Sequence, residues 1–232
     1  MRVRRLTARV TQLTQLGAVN CFLVAEDDGL TLVDAAMRGR GRDILRAAVG
    51  APIRRIVLTH AHYDHVGSLD ELAAATPGVE VLLSAREARL MGGDRTLEPG
   101  EAQVPVRGSY LPVRTLPTRL LEPGERVGSL LVVASPGHTP GHVAFLDTRD
   151  GTLLAGDAFV TLGGLAVAGT LRWVFPLPAL ATWDRPTALA SARALRALNP
   201  SRLGVGHGRP LTDPGVAMDA AIAEAERHTS RP

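Results

Sequence analysis

Thr59-His60-Ala61-His62-Tyr63-Asp64-His65-Val66-Gly67 places four side chains able to ligate a metal within six positions. The stretch directly follows Ile56-Val57-Leu58, an apolar run that reads as the end of a core strand, so the cluster is expected in a loop held at a strand end. Imidazole nitrogen and carboxylate oxygen are the usual ligands of a catalytic zinc that keeps one position open for water. His60 and His62 lie two apart, a spacing that points both rings the same way in an extended segment. A lone histidine is more often a hydrogen-bonded core or surface residue. Three histidines and an aspartate in one loop favour ligands over a solvated polar turn.

Three further elements each follow an expected strand: Ser135-Pro136-Gly137-His138-Thr139-Pro140-Gly141-His142, then Leu154-Ala155-Gly156-Asp157, then Gly204-Val205-Gly206-His207-Gly208. Glycines in the last of these let the backbone turn tightly beside a ligand. Of the seven histidines only His228 lies outside these elements. Near the end of the last helix, it is expected to cap carbonyls or face solvent.

Outward from these motifs, alternation predicts strands at 3–10, 19–25 and 30–33, with Glu26-Asp27-Asp28-Gly29 as a hairpin turn. A helix at 42–49, a strand at 53–58, a helix at 69–75, a strand at 79–83 and a helix at 85–91 started by Ser84 complete the first half. Between 92 and 124 Pro and Gly abound without a sustained period, which predicts a long surface excursion. Strands follow at 130–134, 142–147 and 152–154, a helix at 182–198, a strand at 202–205, and a last helix from about 213 to 227. This order is compatible with two mixed sheets packed face to face and flanked by helices.

With 232 residues, 45% hydrophobic and 21% charged, the chain has an ordinary globular composition and is expected to form one domain over 1–232. All 26 basic residues are arginine, which excludes a lysine nucleophile or Schiff base. The net charge is only +3 and the arginines are scattered, apart from Arg2, Arg4 and Arg5, so no nucleic-acid partner is expected. Cys21, the single cysteine, lies in an apolar run and reads as a buried small hydrophobe, without disulfide or thiol chemistry. The N-terminus lacks the unbroken apolar stretch of a secretory signal, so a cytoplasmic location is expected. Residues 163–181 are apolar but interrupted by Arg172, Pro176 and Pro178, which argues for a loop or cap and against a membrane span. Arg172, Trp173 and Phe175 are the candidate substrate contacts there. Ordinary packing against the core, or a homodimer surface, would use the same residues.

In order and spacing the motifs resemble the metallo-β-lactamase fold hydrolases, marked by HxHxDH followed downstream by single histidine, aspartate and histidine ligands. The match runs from Asp34, at the end of Leu32-Val33-Asp34, to His207. It implies an α+β fold, an αββα four-layer sandwich with the site at one edge of the sheets. It further implies that His60, His62 and His138 hold one metal, that Asp64, His65 and His207 hold a second, and that Asp157 bridges them. By the same resemblance His142 is a supporting or substrate-contacting residue, and Asp34 a buried carboxylate behind the metal loop; a simple turn role for Asp34 fits equally.

The implied cofactors are two divalent metal ions, zinc first, with iron or manganese as alternatives. The implied reaction is hydrolysis of an ester, thioester or lactone of a small molecule by a water ionised between the metals. Asp64 would orient that water or pass a proton. The segment 136–142 is similar to segments of glyoxalase II-type thioesterases and of quorum-quenching lactonases alike. The lactonases carry a tyrosine shortly after the bridging aspartate, where this chain has Ala158-Phe159-Val160; glyoxalase II enzymes carry a basic C-terminal surface, where this chain has a helix of little positive charge. The tRNA-processing nucleases of the fold add an RNA-gripping arm, and no such basic, aromatic-bearing insertion is evident. Persulfide dioxygenases resemble the pattern with one iron, which makes a mononuclear iron oxidoreductase the alternative. A metal-binding protein without turnover ranks last.

Overall fold

In the computed structural model, which describes residues 1–229, strand-forming residues sort into two large sheets and a two-stranded one, and the chain divides into two units. The first unit comprises Met1–Asp94 and Tyr110–Glu122. Its sheet begins with β1 (Arg2–Arg5) and β2 (Val10–Gln15), an antiparallel pair where the alternation predicted one strand over 3–10. The break has a local cause: the Thr7 hydroxyl accepts hydrogen bonds from the backbone N–H of Arg9 and Val10, offering the chain a turn in place of a ladder. Next come β3 (Val19–Glu26) and β4 (Gly29–Val33), the predicted hairpin, with Glu26 opposite Gly29. Most of β3 is buried, as suits a strand inside a sheet.

From β4 onward the pairing turns parallel, because each return passes through helix. Helix α1 (Gly41–Ala47) leads to β5 (Ile53–Val57), then α2 (Tyr63–Val66) and α3 (Leu69–Ala75) to β6 (Glu80–Ser84). Helix α4 (Ala85–Met91) follows at once, its N-terminus capped as expected by Ser84, whose hydroxyl accepts from the Glu87 N–H. The predicted surface excursion hides one strand, β7 (Arg119–Leu121), parallel to β6. The strands lie in the order β1-β2-β3-β4-β5-β6-β7. Leu32, Ile44, Ile56, Leu58, Leu69, Leu72 and Leu82 are fully buried and form the unit's core.

The second unit takes Arg95–Ser109 and the chain from Pro123 onward. It is built from β8 (Arg126–Val127), β9 (Leu130–Ala134), β10 (Val143–Asp147) and β11 (Thr152–Leu154), then a separate hairpin of β12 (Phe159–Val160) and β13 (Ala166–Val167). Helix α5 (Leu177–Ala181) precedes α6 (Arg185–Ala197), which is followed by β14 (Arg202–Gly204), β15 (Leu211–Thr212) and α7 (Gly215–Thr229). Helix α6 starts three residues later than the amphipathic pattern, because Asp184 caps it by accepting from the Thr187 N–H and Pro186 sits in its first turn. The sheet order is β15-β14-β11-β10-β9-β8. Beside it, Leu153, Phe159, Val167, Leu189, Ala192, Leu195, Leu203 and Met218 pack as a core. Among the described residues no helix is long and apolar enough to cross a membrane.

Candidate metal centre

In the first unit the metal loop leaves the C-terminal end of β5, beside the end of its parallel neighbour β4. Asp34 stands at that neighbouring end, where its N–H donates to the Val57 carbonyl and its φ of +63° turns the chain away. Asp34 is 1% exposed. Its carboxylate accepts from the Thr59 N–H at 2.8 Å and from the Thr59 hydroxyl at 2.9 Å, and lies 2.8 Å from His65 Nδ1. Asp34 thus takes a left-handed turn and hydrogen-bonds the chain at Thr59 and His65 at the same time.

These bonds also settle where the ring protons lie. Ionised carboxylates only accept, so His65 carries its proton on Nδ1 and its lone pair on Nε2. The Thr59 hydroxyl spends its one hydrogen on Asp34 and so accepts from His60 Nδ1 at 3.0 Å, which puts the His60 lone pair on Nε2 as well. The three rings cluster, with the His60 centroid 4.7 Å from that of His62 and 4.0 Å from that of His65. Asp64 is partly exposed, its Oδ2 3.9 Å from His65 Nε2. Gly67 closes the loop where a Cβ would lie 2.4 Å from the Arg38 N, so only glycine allows the 36–41 loop to approach this closely.

Two neighbours of this loop escaped the sequence reading. Glu87, fully buried on α4, accepts from the Ala61 N–H at 2.8 Å and so holds the loop. Its only sequence signal is the Ser84-x-x-Glu87 spacing, which reads as a capping box. Tyr110, from the irregular stretch, sets its ring edge-on to His62, centroids 4.8 Å apart.

In the second unit β9, β11 and β14 run in one direction, since β10 is antiparallel to β9 and β11, and β14 is parallel to β11. The segments following all three therefore emerge at one edge. Asp157 and His207 become neighbours through the bonds Ala155 N–H to Gly204 O and Gly206 N–H to Gly156 O, 2.8 Å each. Asp157 Oδ2 lies 3.1 Å from His207 Nε2 and 3.4 Å from His138 Nε2. His138 is tethered as His60 and His65 are: Thr182 donates its hydroxyl to the Pro178 carbonyl and accepts from His138 Nδ1, leaving the lone pair on Nε2. Gly137 seats this loop against α6, where a Cβ would fall 2.2 Å from the Ala188 N at a φ of +129°.

In His142 the Nε2 lone pair is already in use. Its Nε2 accepts from the Asp157 N–H at 3.1 Å and its Nδ1 lies 2.8 Å from the Ser135 hydroxyl, so the ring is occupied in holding the Asp157 turn. Phe175 packs against His207 with centroids 5.1 Å apart. Arg172 is bound bidentately by Glu224 of α7 at 2.6 Å and donates to the Leu165 carbonyl, and this pairing lowers the Glu224 pKa while raising that of Arg172. Trp173 is 86% exposed. His228 faces solvent, 4.0 Å from Glu224. Cys21 is buried and its thiol pKa is pushed well up, by burial first and by the Asp34 charge second.

The donor chemistry fits a metal: imidazoles tethered at Nδ1 with Nε2 left to ligate, and carboxylates beside them, are what a divalent cation requires. The chain matches the metallo-β-lactamase superfamily model over residues 14–207. It is 47% identical over 222 residues to YobT of Bacillus subtilis (strain 168), covering 94% of this chain and 95% of that protein. It is 33% identical over 182 residues to a hydroxyacylglutathione hydrolase of Rhodospirillum rubrum, covering 77% of this chain and 57% of that one. Among solved structures, TTHA1623 in a di-iron-bound form matches at 30% identity with a TM-score of 0.66, over 89% of this chain and 95% of that one. The chain belongs to the metallo-β-lactamase superfamily, with its α+β fold, and is a metal-dependent hydrolase.

Proposed function

We propose that this chain acts as a single catalytic domain in which the residues matching the family motif, His60, His62, Asp64, His65, His138, Asp157 and His207, would hold two divalent cations for hydrolysis of a small-molecule ester, thioester or lactone. The observation that carries this reading is the shared tautomer. His60, His65 and His138 each carry a hydrogen bond at Nδ1 that leaves the lone pair on Nε2, as ligation requires. Within the first unit the His60, His62 and His65 rings cluster, and within the second Asp157 Oδ2 lies within 3.4 Å of both His138 Nε2 and His207 Nε2. A solved relative recorded in a di-iron-bound form and a relative named hydroxyacylglutathione hydrolase support the class. Zinc is the favoured ion, with iron or manganese as the alternatives.

Bound divalent cations would supply Lewis acidity and a water acidified toward a pKa of about 7. The chain's own groups do the positioning. Asp34 and Thr59 fix the His60 and His65 rings, His142 fixes the Asp157 turn, and Phe175 shields one face of His207 from water. Asp64, the most exposed carboxylate of the set, orients the attacking water and takes its proton at Oδ.

Metal content per chain by elemental analysis, with His207→Ala alongside, tests the reading. Two ions falling to about one in the variant, with turnover of a hydroxyacyl thioester, an ester or a lactone in the parent, is the expected result. A single iron unaffected by the variant, with oxygen consumption in place of hydrolysis, would turn the assignment to an oxidoreductase.

A further inference from the structure

Beside the metal loop, wholly within the first unit, lies a cavity of about 710 Å³. Its wall is part metal loop, through Tyr63 and Val66, and part the once-irregular stretch, through Leu111, Val113 and Arg114, with Arg38 on a third side. The apolar portion of this lining suits an aliphatic or aromatic body. Its polar portion is unbalanced in a particular way.

Two acids, Asp70 and Glu71, also line the cavity, but the oxygens of both are already taken. Asp70 accepts from the N–H groups of Arg114 and Thr115 and from the Thr115 hydroxyl. Burial works against its charge, yet these donors and the nearby Arg114 charge outweigh it and hold its carboxyl below the usual range. Glu71 accepts from the N–H groups of Gly39 and Gly41. Consecutive residues on α3 thus pin two different loops, and each loop brings one arginine to the cavity.

Neither the Arg38 nor the Arg114 guanidinium has a hydrogen bond or salt bridge among the described residues, and the Tyr63 hydroxyl has none either. The polar groups still able to bind a ligand are therefore donors, two of them cationic. Guanidinium forks match carboxylate and phosphate oxygens, and a tyrosine hydroxyl adds a third donor.

We propose that this cavity is a subsite for an organic anion, a carboxylate or phosphate on an apolar body, received by Arg38 and Arg114 as the acidic end of the substrate. The ligand's role as substrate rests on the hydrolase reading above; its binding does not.

Titration calorimetry of the metal-loaded protein with phenylacetate, phenyl phosphate and the neutral 2-phenylethanol tests this. Phenylacetate or phenyl phosphate is expected to bind one per chain, with the alcohol at least about tenfold weaker. Arg38→Gln combined with Arg114→Gln is expected to weaken the anion by about tenfold with metal content unchanged. Which of the two anions binds more tightly tells a carboxylate from a phosphate source. Slowed amide exchange at 110–115 on binding would locate the ligand in the same protein, without variants. The proposal is overturned if neither anion binds, if the alcohol binds equally, or if the double variant keeps parental affinity, which would place the anion on the metals. Anion binding without any ester, thioester or lactone cleavage would leave the cavity standing and remove the hydrolase reading; turnover without anion binding would do the reverse.

Discussion

Replacing Asp34 by Asn separates the carboxylate's work from the turn's. Asparagine tolerates a φ of +63° as aspartate does, and the two side chains are nearly the same shape, so the backbone and packing stay put. What changes is the count of acceptors. The carboxylate meets three donors: the Thr59 N–H, the Thr59 hydroxyl and His65 Nδ1. An amide has one oxygen, and its NH2 must face either Thr59 or His65. Facing Thr59, it opposes donor to donor at a fully buried site, a loss of about 1–3 kcal/mol. Facing His65, it forces the ring proton to Nε2 and removes the lone pair that would ligate. Metal affinity should then fall by about 10–100-fold, the usual effect of losing such a supporting group. A loss of about 2 kcal/mol would lower the melting midpoint of the metal-free chain by about 4–8 °C for a protein of this size. Thermal melts of metal-free protein and competition against a chelating dye read the two routes separately. Parental values in both would refute the assignment of Asp34 as the brace of the metal loop.

Two further outcomes follow from the second unit. Glu224→Gln should cost about 1–2 kcal/mol at neutral pH, because its bidentate pair with Arg172 is only 27% exposed on the glutamate side. Arg172 lowers the Glu224 pKa, so this stabilisation is fully present above the ordinary glutamate value of 4.5 and is lost as pH falls through the depressed folded value. Denaturant midpoints of parent and variant should therefore converge in acid, and a gap that stays constant with pH would count against the pair. Gly137→Ala should destabilise by about 3 kcal/mol, since the new methyl would overlap the α6 backbone at Ala188, and parental stability by urea titration would contradict that close approach.

What could be read in advance was local in the chain. His60, His62 and His65 announce themselves by crowding, and Ser84 starts α4 where a cap was expected, because both signals lie within a few residues. Glu87 was invisible as a brace, since its bond to Ala61 spans 26 positions and its spacing from Ser84 imitates a capping box. Strand β7 has three residues, too few for a period to show, and draws its existence from parallel pairing with β6. The break between β1 and β2 comes from a turn at 6–10, closed by Val10 and the Thr7 hydroxyl, amid otherwise continuous alternation. Nor could the stretch from 92 to 124 disclose that Arg95–Ser109 serves the second unit and Tyr110–Glu122 the first, because that partition depends on contacts distant in sequence. Arg172 looked like a substrate cation by its place in an apolar segment, while its partner Glu224 lies 52 residues away.

The burial of Cys21 gives the protein a reporter of its own. It is the single thiol in the chain, it sits fully covered on β3, and its raised pKa keeps it protonated. A thiol reagent can reach it only when the sheet of the first unit opens, because thiolate character and access both govern the reaction. The labelling rate of the unmodified protein therefore clocks that opening directly, and comparing it with and without metal would show how far ion binding locks the sheet that carries His60, His62 and His65.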